Sequence, residues 1–233
     1  MTIPAQPGQP QPTIPGNSHN TPSMHMLCRQ APVLPVLIIE NLHHAVPLAE
    51  ALVAGGLPVL EVSLRGSAAV EAISLMSRVP GATIGAGMVL TPQNARDALD
   101  AGATFAASPG ASHSLIDCCR DLGLPLLPGA ISPTEVMSLQ DRGFDLIKFF
   151  PAAASGGVAA LKSLGGSFPQ VHFCPAGGIS QANAPDYLSL PNVACVGGSW
   201  MASAKLMEEE QWGEIRKLAH LARQLETNMG SHH

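Results

Sequence analysis

One lysine lies within an apolar run. Residues 146–151 read Leu-Ile-Lys-Phe-Phe-Pro, so aliphatic and aromatic side chains flank Lys148. An ammonium group is costly to bury unless it is paired or loses its proton. A neutral amine is a nucleophile that can form a Schiff base with a ketone. The run alone is compatible with a lysine that reaches the rim of a sheet or pairs with a carboxylate, and equally with a catalytic nucleophile.

A second segment, residues 60–65, alternates strictly between apolar and polar side chains. Alternation with period two predicts a strand that places Glu61, Ser63 and Arg65 on one face. A buried carboxylate and guanidinium require a partner or a ligand. One interpretation is a structural Glu61–Arg65 pair. The other assigns proton transfer to Glu61 and an anionic substrate group to Arg65, because a guanidinium binds a carboxylate bidentately.

Both segments belong to a repeated alternation of strand-length and helix-length patterns. Eight aliphatic runs lie at 33–39, 58–64, 82–85, 104–108, 125–128, 145–149, 172–174 and 193–197. Helix-forming segments between them include 45–54, 68–78, 92–101 and 133–142. This order predicts a single-domain α/β fold, a closed (β/α)8 TIM barrel. The alternative, an open doubly wound sheet, would carry a glycine-rich dinucleotide motif after the first strand, and Ile39-Glu40-Asn41 offers none.

Glycine pairs follow the predicted seventh and eighth strands. In this barrel, active residues lie at the carboxyl ends of the strands, and the last two loops commonly bind phosphate. Gly177, Gly178 and Gly198 would let backbone N–H groups approach an anion closely, and Ser199 adds a hydroxyl at a predicted helix N-cap. Ordinary tight turns are the alternative. We expect the Lys148 and Glu61 strands to face the same barrel mouth as these loops.

Composition limits the class of partner. The 233 residues are 46% apolar and 12% charged, with a net charge of −5 and a pI near 5.9. These values argue against nucleic acid and anionic membranes as partners, and no apolar run is long enough to span a bilayer. Five cysteines without a framework pattern predict reduced thiols in a cytoplasmic protein. Metal-ligand spacing is absent, so no metal is expected.

The two ends are predicted to lie outside the fold. Residues 1–22 hold six prolines and predict a disordered tail that is not a secretory signal. Residues 229–233 resemble the end of an expression tag. The barrel is therefore expected over 23–228.

Seven motifs, in order along residues 30–220, resemble the 2-keto-3-deoxy-6-phosphogluconate (KDPG) aldolases, also called 4-hydroxy-2-oxoglutarate (KHG) aldolases. They are LEVSLR at 60–65, GAGMVL at 85–90, SPG at 108–110, LPG at 127–129, KFFPA at 148–152, FCPAGGI at 173–179 and GGSW at 197–200. Each motif is unspecific alone, but the combination in this order is specific.

The resemblance implies a class I aldolase without metal or other cofactor. It places the Schiff-base lysine at Lys148, the general acid/base at Glu61 and the arginine for the pyruvyl carboxylate at Arg65. It further implies pyruvate and glyceraldehyde 3-phosphate as products, a homotrimer and a place in the Entner–Doudoroff pathway. The remaining implied residues are Pro109 and Phe150, which shape the pocket, and Gly177, Gly178, Gly198 and Ser199, which bind phosphate.

Two positions depart from the family pattern. Met88 and Ala176 stand where the family usually has threonine. Losing a hydroxyl that binds a substrate group costs on the order of 1 kcal/mol. We therefore expect altered specificity toward a less polar acceptor.

Two other functions are compatible with the sequence. One is cleavage of 4-hydroxy-2-oxoglutarate or decarboxylation of oxaloacetate by the same Schiff base. The other is an inactive trimeric barrel that serves as a scaffold. The sequence argues against this scaffold, because it retains Lys148, Glu61 and Arg65 together.

Overall fold

Eight short parallel strands form the centre of the fold. The computed structural model describes residues 23–226, so the predicted tail at 1–22 and the predicted tag at 229–233 lie outside the described residues. The strands are β1 (Val33–Leu37), β2 (Val59–Ser63), β3 (Thr83–Gly87), β4 (Phe105–Ala107), β5 (Leu126–Leu127), β6 (Leu146–Phe149), β7 (His172–Pro175) and β8 (Val196–Gly198).

Helices separate the strands along the chain. They are α1 (Met24–Cys28), α2 (Ala45–Ala54), α3 (Ala69–Met76), α4 (Pro92–Asp100), α5 (His113–Asp121), α6 (Pro133–Asp141), α7 (Gly157–Ser167), α8 (Ala184–Leu188), α9 (Ala204–Glu208) and α10 (Trp212–Arg223). The four helices predicted from sequence are α2, α3, α4 and α6, and each agrees with its prediction within two residues. None of the helices within residues 23–226 is long and apolar enough to cross a membrane.

The strands pair in parallel in the order β5-β4-β3-β2-β1-β8, with β6 and β7 as a second pair. This gives an α/β fold in which the six-stranded parallel sheet forms a half-barrel. Isolated parallel bridges link Gly129 to Lys148, Phe173 to Val193 and Ala176 to Gly197. These bridges connect the β6-β7 pair to the ends of the larger sheet.

All eight predicted strands are present, but β8 begins three residues later than predicted. The N–H of Val193 donates to Leu190 O at 3.1 Å, which closes the turn after α8. Residues 193 and 194 contact β7, through the bridge between Phe173 and Val193 and the Ala194 N–H, which donates to Phe173 O at 2.9 Å. The ladder with β1 starts at Val196.

Alternate residues of each strand face two different apolar layers. Leu60 and Val62 of β2, with Ile147 and Phe149 of β6, belong to the large cluster shared with the helices. Leu146 of β6 belongs to a second, inner cluster. The residues between these positions therefore point inward, as the alternation in β2 and β6 predicts.

Helix α1 contributes to the inner cluster. Its Met24, Leu27 and Cys28 pack with inward side chains of the strands. The ring of His25 contacts Asp145, with Nε2 and Oδ1 2.7 Å apart, at the start of β6. The helix thus covers the amino ends of the strands, and the candidate site lies at their carboxyl ends.

Candidate functional site

The centre of the site is a buried ion pair between β6 and β2. Lys148 Nζ donates to Glu61 Oε1 at 2.6 Å and to Oε2 at 2.9 Å. Lys148 is 5% exposed and Glu61 is 1% exposed. Lys148 is therefore not a lysine that reaches the rim of the sheet. Lys148 is instead paired with a carboxylate, which is the other structural alternative that the sequence left open. The contact also places a proton acceptor beside the amine, and an adjacent base is one way to activate a nucleophile.

A cavity of about 180 Å³ opens onto this pair. It is lined by ten of the eleven candidate residues from sequence: Glu61, Arg65, Met88, Lys148, Phe150, Ala176, Gly177, Gly178, Gly198 and Ser199. Glu61 and Lys148 lie within β2 and β6, and the other residues end or follow β2, β3, β6, β7 and β8. The expectation that strand ends meet at one mouth is confirmed for these five strands.

Pro109 is not among the lining residues of this cavity. It packs beside Gly129 instead, where a Cβ would overlap the Pro109 carbonyl group. Sequence reasoning missed Val36 and Ile38, which line the cavity from β1 and just beyond it. The rule that strand ends form the site would have found them, since both lie at the end of the first predicted strand.

Arg65 lies in the loop after β2, and its backbone N–H donates to Ser63 Oγ at 3.4 Å. Within residues 23–226 the guanidinium makes no ion pair, and the partner of Glu61 is Lys148. The structural Glu61–Arg65 pair is therefore not formed. An exposed guanidinium at the cavity wall is suited to bind an anionic group of a ligand.

Gly87 creates the space for the Glu61 carboxylate. A Cβ at residue 87 of β3 would overlap Glu61 Oε1, because the strand pairing places Gly87 beside Ser63 of β2. The glycines of the GAG motif therefore have a steric role that the sequence analysis did not assign. Met88 follows with φ of 54°, a left-handed conformation that is uncommon for a residue with a side chain.

The loop after β7 carries two adjacent glycines in left-handed conformations, Gly177 with φ of 92° and Gly178 with φ of 75°. The side chain of Asn183 braces this loop: its Nδ2 donates to Gly178 O at 3.1 Å, and its Oδ1 accepts from the N–H of Ser180 at 2.8 Å. A side chain at either glycine would strain the backbone.

The loop after β8 meets the same cavity. Ser199 is the N-cap of a 3-10 turn at Trp200–Ala202, as predicted, but its hydroxyl makes no capping hydrogen bond. A Cβ at Gly198 would overlap the indole ring of Trp200. Glycine at 198 therefore permits the close approach of the indole to the backbone at the cavity wall.

Phe150 lies over the lysine. Its ring centroid is 5.8 Å from Lys148 Nζ, within the range of a cation–π contact. Phe150 immediately follows β6, and its bond to Pro151 is cis. The aromatic ring therefore forms an apolar wall beside the amine.

Three buried thiols lie beneath the ion pair. Cys174 pairs with Lys148 across the β6-β7 ladder, and Cys195 Sγ lies 3.5 Å from Cys174 Sγ. Hydrogen bonds with Cys174 and Cys28, together with burial, raise the pKa of Cys195, so that this thiol stays protonated. Among residues 23–226, no group of three or more histidine, cysteine or acidic side chains is arranged to hold a metal ion.

The sequence model of one family, described as KDPG and KHG aldolase, matches residues 24–218. The chain belongs to this aldolase family. A 2-dehydro-3-deoxy-phosphogluconate aldolase of Pseudoalteromonas atlantica is 50% identical over 194 residues, which cover 83% of this chain and 90% of that protein. A KHG/KDPG aldolase of Escherichia coli is 47% identical over 201 residues, which cover 86% and 94%.

Solved structures of the family agree with the fold. A 2-keto-3-deoxy-6-phospho-gluconate aldolase of Zymomonas mobilis superposes with a TM-score of 0.86 at 45% identity and covers 90% of this chain and 100% of its own. A KDPG aldolase of Legionella pneumophila, in which pyruvate was captured as a covalent carbinolamine, gives a TM-score of 0.83 at 45% identity over 86% and 98%. By family, this chain is an aldolase and therefore a lyase.

Proposed function

We propose that this protein is a class I aldolase that cleaves KDPG to pyruvate and glyceraldehyde 3-phosphate through a Schiff base on Lys148. The observation that carries the proposal is the Lys148–Glu61 pair, buried at the base of a cavity that opens at the strand ends. The pyruvate carbinolamine in the Legionella relative supports the same covalent chemistry here.

The first steps use the contact between the two buried groups. Transfer of a proton from Lys148 Nζ to Glu61, across 2.6 Å, leaves a neutral amine that attacks the C2 ketone of the substrate. Glu61 then returns its proton to the carbinolamine hydroxyl, which leaves as water and gives an iminium ion, so Glu61 is again a carboxylate. The carboxylate of the substrate iminium lies against Arg65, whose guanidinium has no protein partner among residues 23–226.

Cleavage then needs one base and one electron sink. Glu61 as carboxylate takes the C4 hydroxyl proton while the C3–C4 bond breaks, and the iminium accepts the electron pair to become an enamine. The aldehyde leaves, the enamine is protonated at C3, and water hydrolyses the new iminium to release pyruvate. Glu61 is close enough to Lys148 to serve both the amine and the substrate hydroxyl.

The distal part of the substrate would lie against the β7 and β8 loops. Gly177, Gly178, Gly198 and Ser199 are proposed to bind the phosphate through backbone N–H groups and one hydroxyl. We propose that Met88, Phe150 and Ala176 shape the acceptor pocket, with Pro109 acting from behind it. Since Met88 and Ala176 offer no hydroxyl, we propose a shift in preference toward less polar acceptors.

A second candidate activity is cleavage of 4-hydroxy-2-oxoglutarate, with oxaloacetate decarboxylation as its variant. The name of the Escherichia coli relative, a KHG/KDPG aldolase, supports it. This reaction uses the same pair and needs no phosphate site. Comparing kcat/KM for phosphorylated and non-phosphorylated substrates separates the two activities.

The decisive experiment is to trap the Schiff base. We expect pyruvate and borohydride to add one reduced pyruvyl group to Lys148, detected by peptide mass spectrometry. Lys148→Arg, which keeps a positive charge beside Glu61, should give no adduct. The matched control is Lys162→Arg at an exposed position of α7, and it should label fully. Failure of the native protein to label would leave only the inactive-scaffold interpretation.

Four further features belong to this proposal. We infer that the eight strands close into a complete (β/α)8 barrel, which the bridges at Gly129–Lys148 and Ala176–Gly197 support.

A homotrimer follows from the family resemblance. An apolar contact surface is supported by Leu90 and Ile131, which are exposed beyond β3 and β5. Light scattering of the purified protein tests the trimer. Residence in the cytoplasm and a role in the Entner–Doudoroff pathway follow from the same resemblance.

A further inference from the structure

A second and larger cavity adjoins the one that contains Lys148. Its volume is about 590 Å³, and the two cavities share Val36, Ile38 and Ser199 in their walls. The Lys148 cavity of about 180 Å³ is smaller than the usual small-molecule site, which occupies about 300–1,000 Å³. An acceptor longer than glyceraldehyde 3-phosphate must therefore extend past the shared wall.

The second cavity is built from two segments at the carboxyl ends of neighbouring strands. One follows β1, and the other runs from the end of β8 into α9. Ile39, Trp200, Ala202 and Met207 form its apolar part. These walls suit the methylene chain of a substrate rather than a compact phosphate group.

The titratable residues that line the second cavity are two glutamates and one histidine. Glu40 and Glu208 are the acidic residues of its wall, and none of the residues that line it is a lysine or arginine. Ser67 Oγ donates to Glu40 Oε2 at 3.2 Å, which restrains this carboxylate. The remaining titratable side chain is His44, whose Nε2 lies 3.4 Å from Asn41 Nδ2. The two carboxylates, with no lysine or arginine in the wall, attract a cation and repel a second anion.

We infer that the second cavity is an acceptor subsite for aldehydes that carry a positively charged ammonium group at the end of a short methylene chain. This rests on the proposed function, since the aldehyde must react with an enamine on Lys148. The indole of Trp200 in the wall adds a favourable aromatic surface for a quaternary ammonium.

The reaction at this subsite is an aldol addition. Glu61 takes a proton from C3 of the pyruvyl iminium, which becomes the enamine. C3 then forms a bond to the aldehyde carbon, and the aldehyde oxygen takes that proton from Glu61. Water then hydrolyses the iminium, which frees Lys148 and releases a 4-hydroxy-2-keto acid with a cationic end. The water lost when pyruvate forms its iminium is regained at hydrolysis. No oxidant or reductant is needed, because the addition only joins the nucleophilic carbon of the enamine to the electrophilic carbon of the aldehyde.

The test compares three aldehydes with pyruvate and the intact protein. They are 4-trimethylammoniobutanal, its neutral isostere 5,5-dimethylhexanal and the anionic 4-oxobutanoate. We expect kcat/KM for addition to fall in that order, with the cation favoured over the isostere about fivefold, because each partly solvated charge contact adds a small factor. Equal rates for the cation and the isostere would overturn the inference.

Removing one carboxylate at a time tests which residues produce the preference for a cationic aldehyde. Glu40→Gln and Glu208→Gln should each reduce the preference for the cation about twofold, while KDPG cleavage stays unchanged. Glu209→Gln is the matched control, since it removes the same charge one position along the chain but does not line the cavity. An equal loss in the control would mean a general effect of surface charge and would overturn the subsite.

A variant that fills the second cavity tests the inference independently of charge. Met207→Trp should slow addition to both long aldehydes at least severalfold and spare glyceraldehyde 3-phosphate. Unchanged addition to the long aldehydes would overturn the inference even if KDPG cleavage is normal. Absence of both the pyruvate adduct and KDPG cleavage would instead overturn the proposed function.

Discussion

At the scale of single residues, the site depends on one buried charge pair. Lys148 and Glu61 are both nearly inaccessible, so each needs the other to offset the loss of hydration. Removing one member of such a pair typically costs about 3–5 kcal/mol, because the remaining charge is left unpaired. In the proposed mechanism, the same contact that makes burial tolerable also supplies the proton transfer that an amine nucleophile needs. Under that proposal, structural and catalytic demands act on the same two side chains.

Threonine at residues 88 and 176 would restore the hydroxyls of the family pattern, which tests the proposed change in substrate specificity. We expect Met88→Thr and Ala176→Thr each to raise kcat/KM for KDPG cleavage about fivefold, which corresponds to one regained hydrogen bond of about 1 kcal/mol. Since residue 88 has φ of 54°, a β-branched threonine there should also lower the melting temperature. Stability is therefore measured beside kinetics. If neither substitution raises kcat/KM, the proposed shift in specificity is wrong.

At the scale of single elements, strand β3 and helix α6 show how local sequence serves the fold and the site. The glycines of β3 leave room for groups that belong to neighbouring strands, including the Glu61 carboxylate. Helix α6 begins with a capping box, in which Ser132 and Glu135 satisfy each other's backbone N–H groups. The space left by the β3 glycines bears on the proposed catalysis, and the capping box of α6 bears on stability.

Filling the space beside Glu61 should impair catalysis. Gly87→Ala places a methyl group where the carboxylate lies, so Glu61 must move away from Lys148. A displacement of about 1 Å in a catalytic group can cost on the order of a hundredfold in rate, and we expect a loss of this size in kcat. The control is Gly166→Ala, at an exposed position of α7 where a Cβ meets nothing within 4 Å. A Gly87→Ala protein with native kcat would contradict the steric role of this glycine.

The capping box of α6 should make part of the stability depend on pH. Partial burial alone would raise the pKa of Glu135, but hydrogen bonds from Ser132 Oγ and from the N–H groups of Ile131 and Ser132 outweigh it, and the pKa lies below its usual value. The depressed pKa means that the folded protein binds this proton more weakly than the unfolded chain. The stabilisation is therefore complete above the unfolded pKa of about 4.3 and is lost as pH falls through the folded value.

Urea unfolding of Glu135→Gln measures this contribution. We expect the substitution to lower the free energy of unfolding by about 0.5 kcal/mol at pH 7, because the carboxylate is exposed to solvent, with the difference shrinking toward pH 3. Glu50→Gln, at an exposed position of α2, controls for the charge change. A difference that persists at pH 3 would show that the carboxylate does not contribute through its ionised form.

At the scale of the whole molecule, aliphatic packing holds the strands between two apolar layers. The outer cluster joins strands to helices, and the inner cluster fills the space between the strands beneath the ion pair. Helix α1 completes the inner cluster at the amino ends of the strands. The functional cavities consequently lie at the carboxyl ends, where loops rather than packed side chains surround them.

Amide hydrogen exchange tests whether the strand pairs close into a barrel. The N–H of Lys148 donates to Pro128 O at 2.8 Å, and the N–H of Phe173 donates to Asn192 O at 2.7 Å, which ties β6 and β7 to their neighbours. We expect both amides to exchange as slowly as the N–H of Thr83, which donates to Pro58 O within the six-stranded sheet. Exchange faster by orders of magnitude at Lys148 and Phe173 would show that the β6-β7 pair opens independently.

The sequence determined the order of the elements and the inward face of two strands. Period-two alternation was sufficient to orient Glu61, because a strand side chain has only two directions available. The predicted alternation to residue 65 is wrong at its end, since β2 ends at Ser63 and Arg65 lies in the turn that follows. The apolar run around Lys148 identified a lysine that burial would make unusual. The motif order identified the family, to which the chain belongs.

Only the tertiary structure decided which charges meet. Lys148 and Glu61 are 87 residues apart, and their contact depends on strand positions that no local pattern specifies. For the same reason the sequence left a Glu61–Arg65 pair open, which the structure does not form because Arg65 lies in the turn after β2. The space that Gly87 leaves for Glu61 and the cavity that follows the shared wall at Val36 also exist only between elements. Local patterns fix the direction of a side chain along its own strand, whereas its partner is decided by which strands become neighbours.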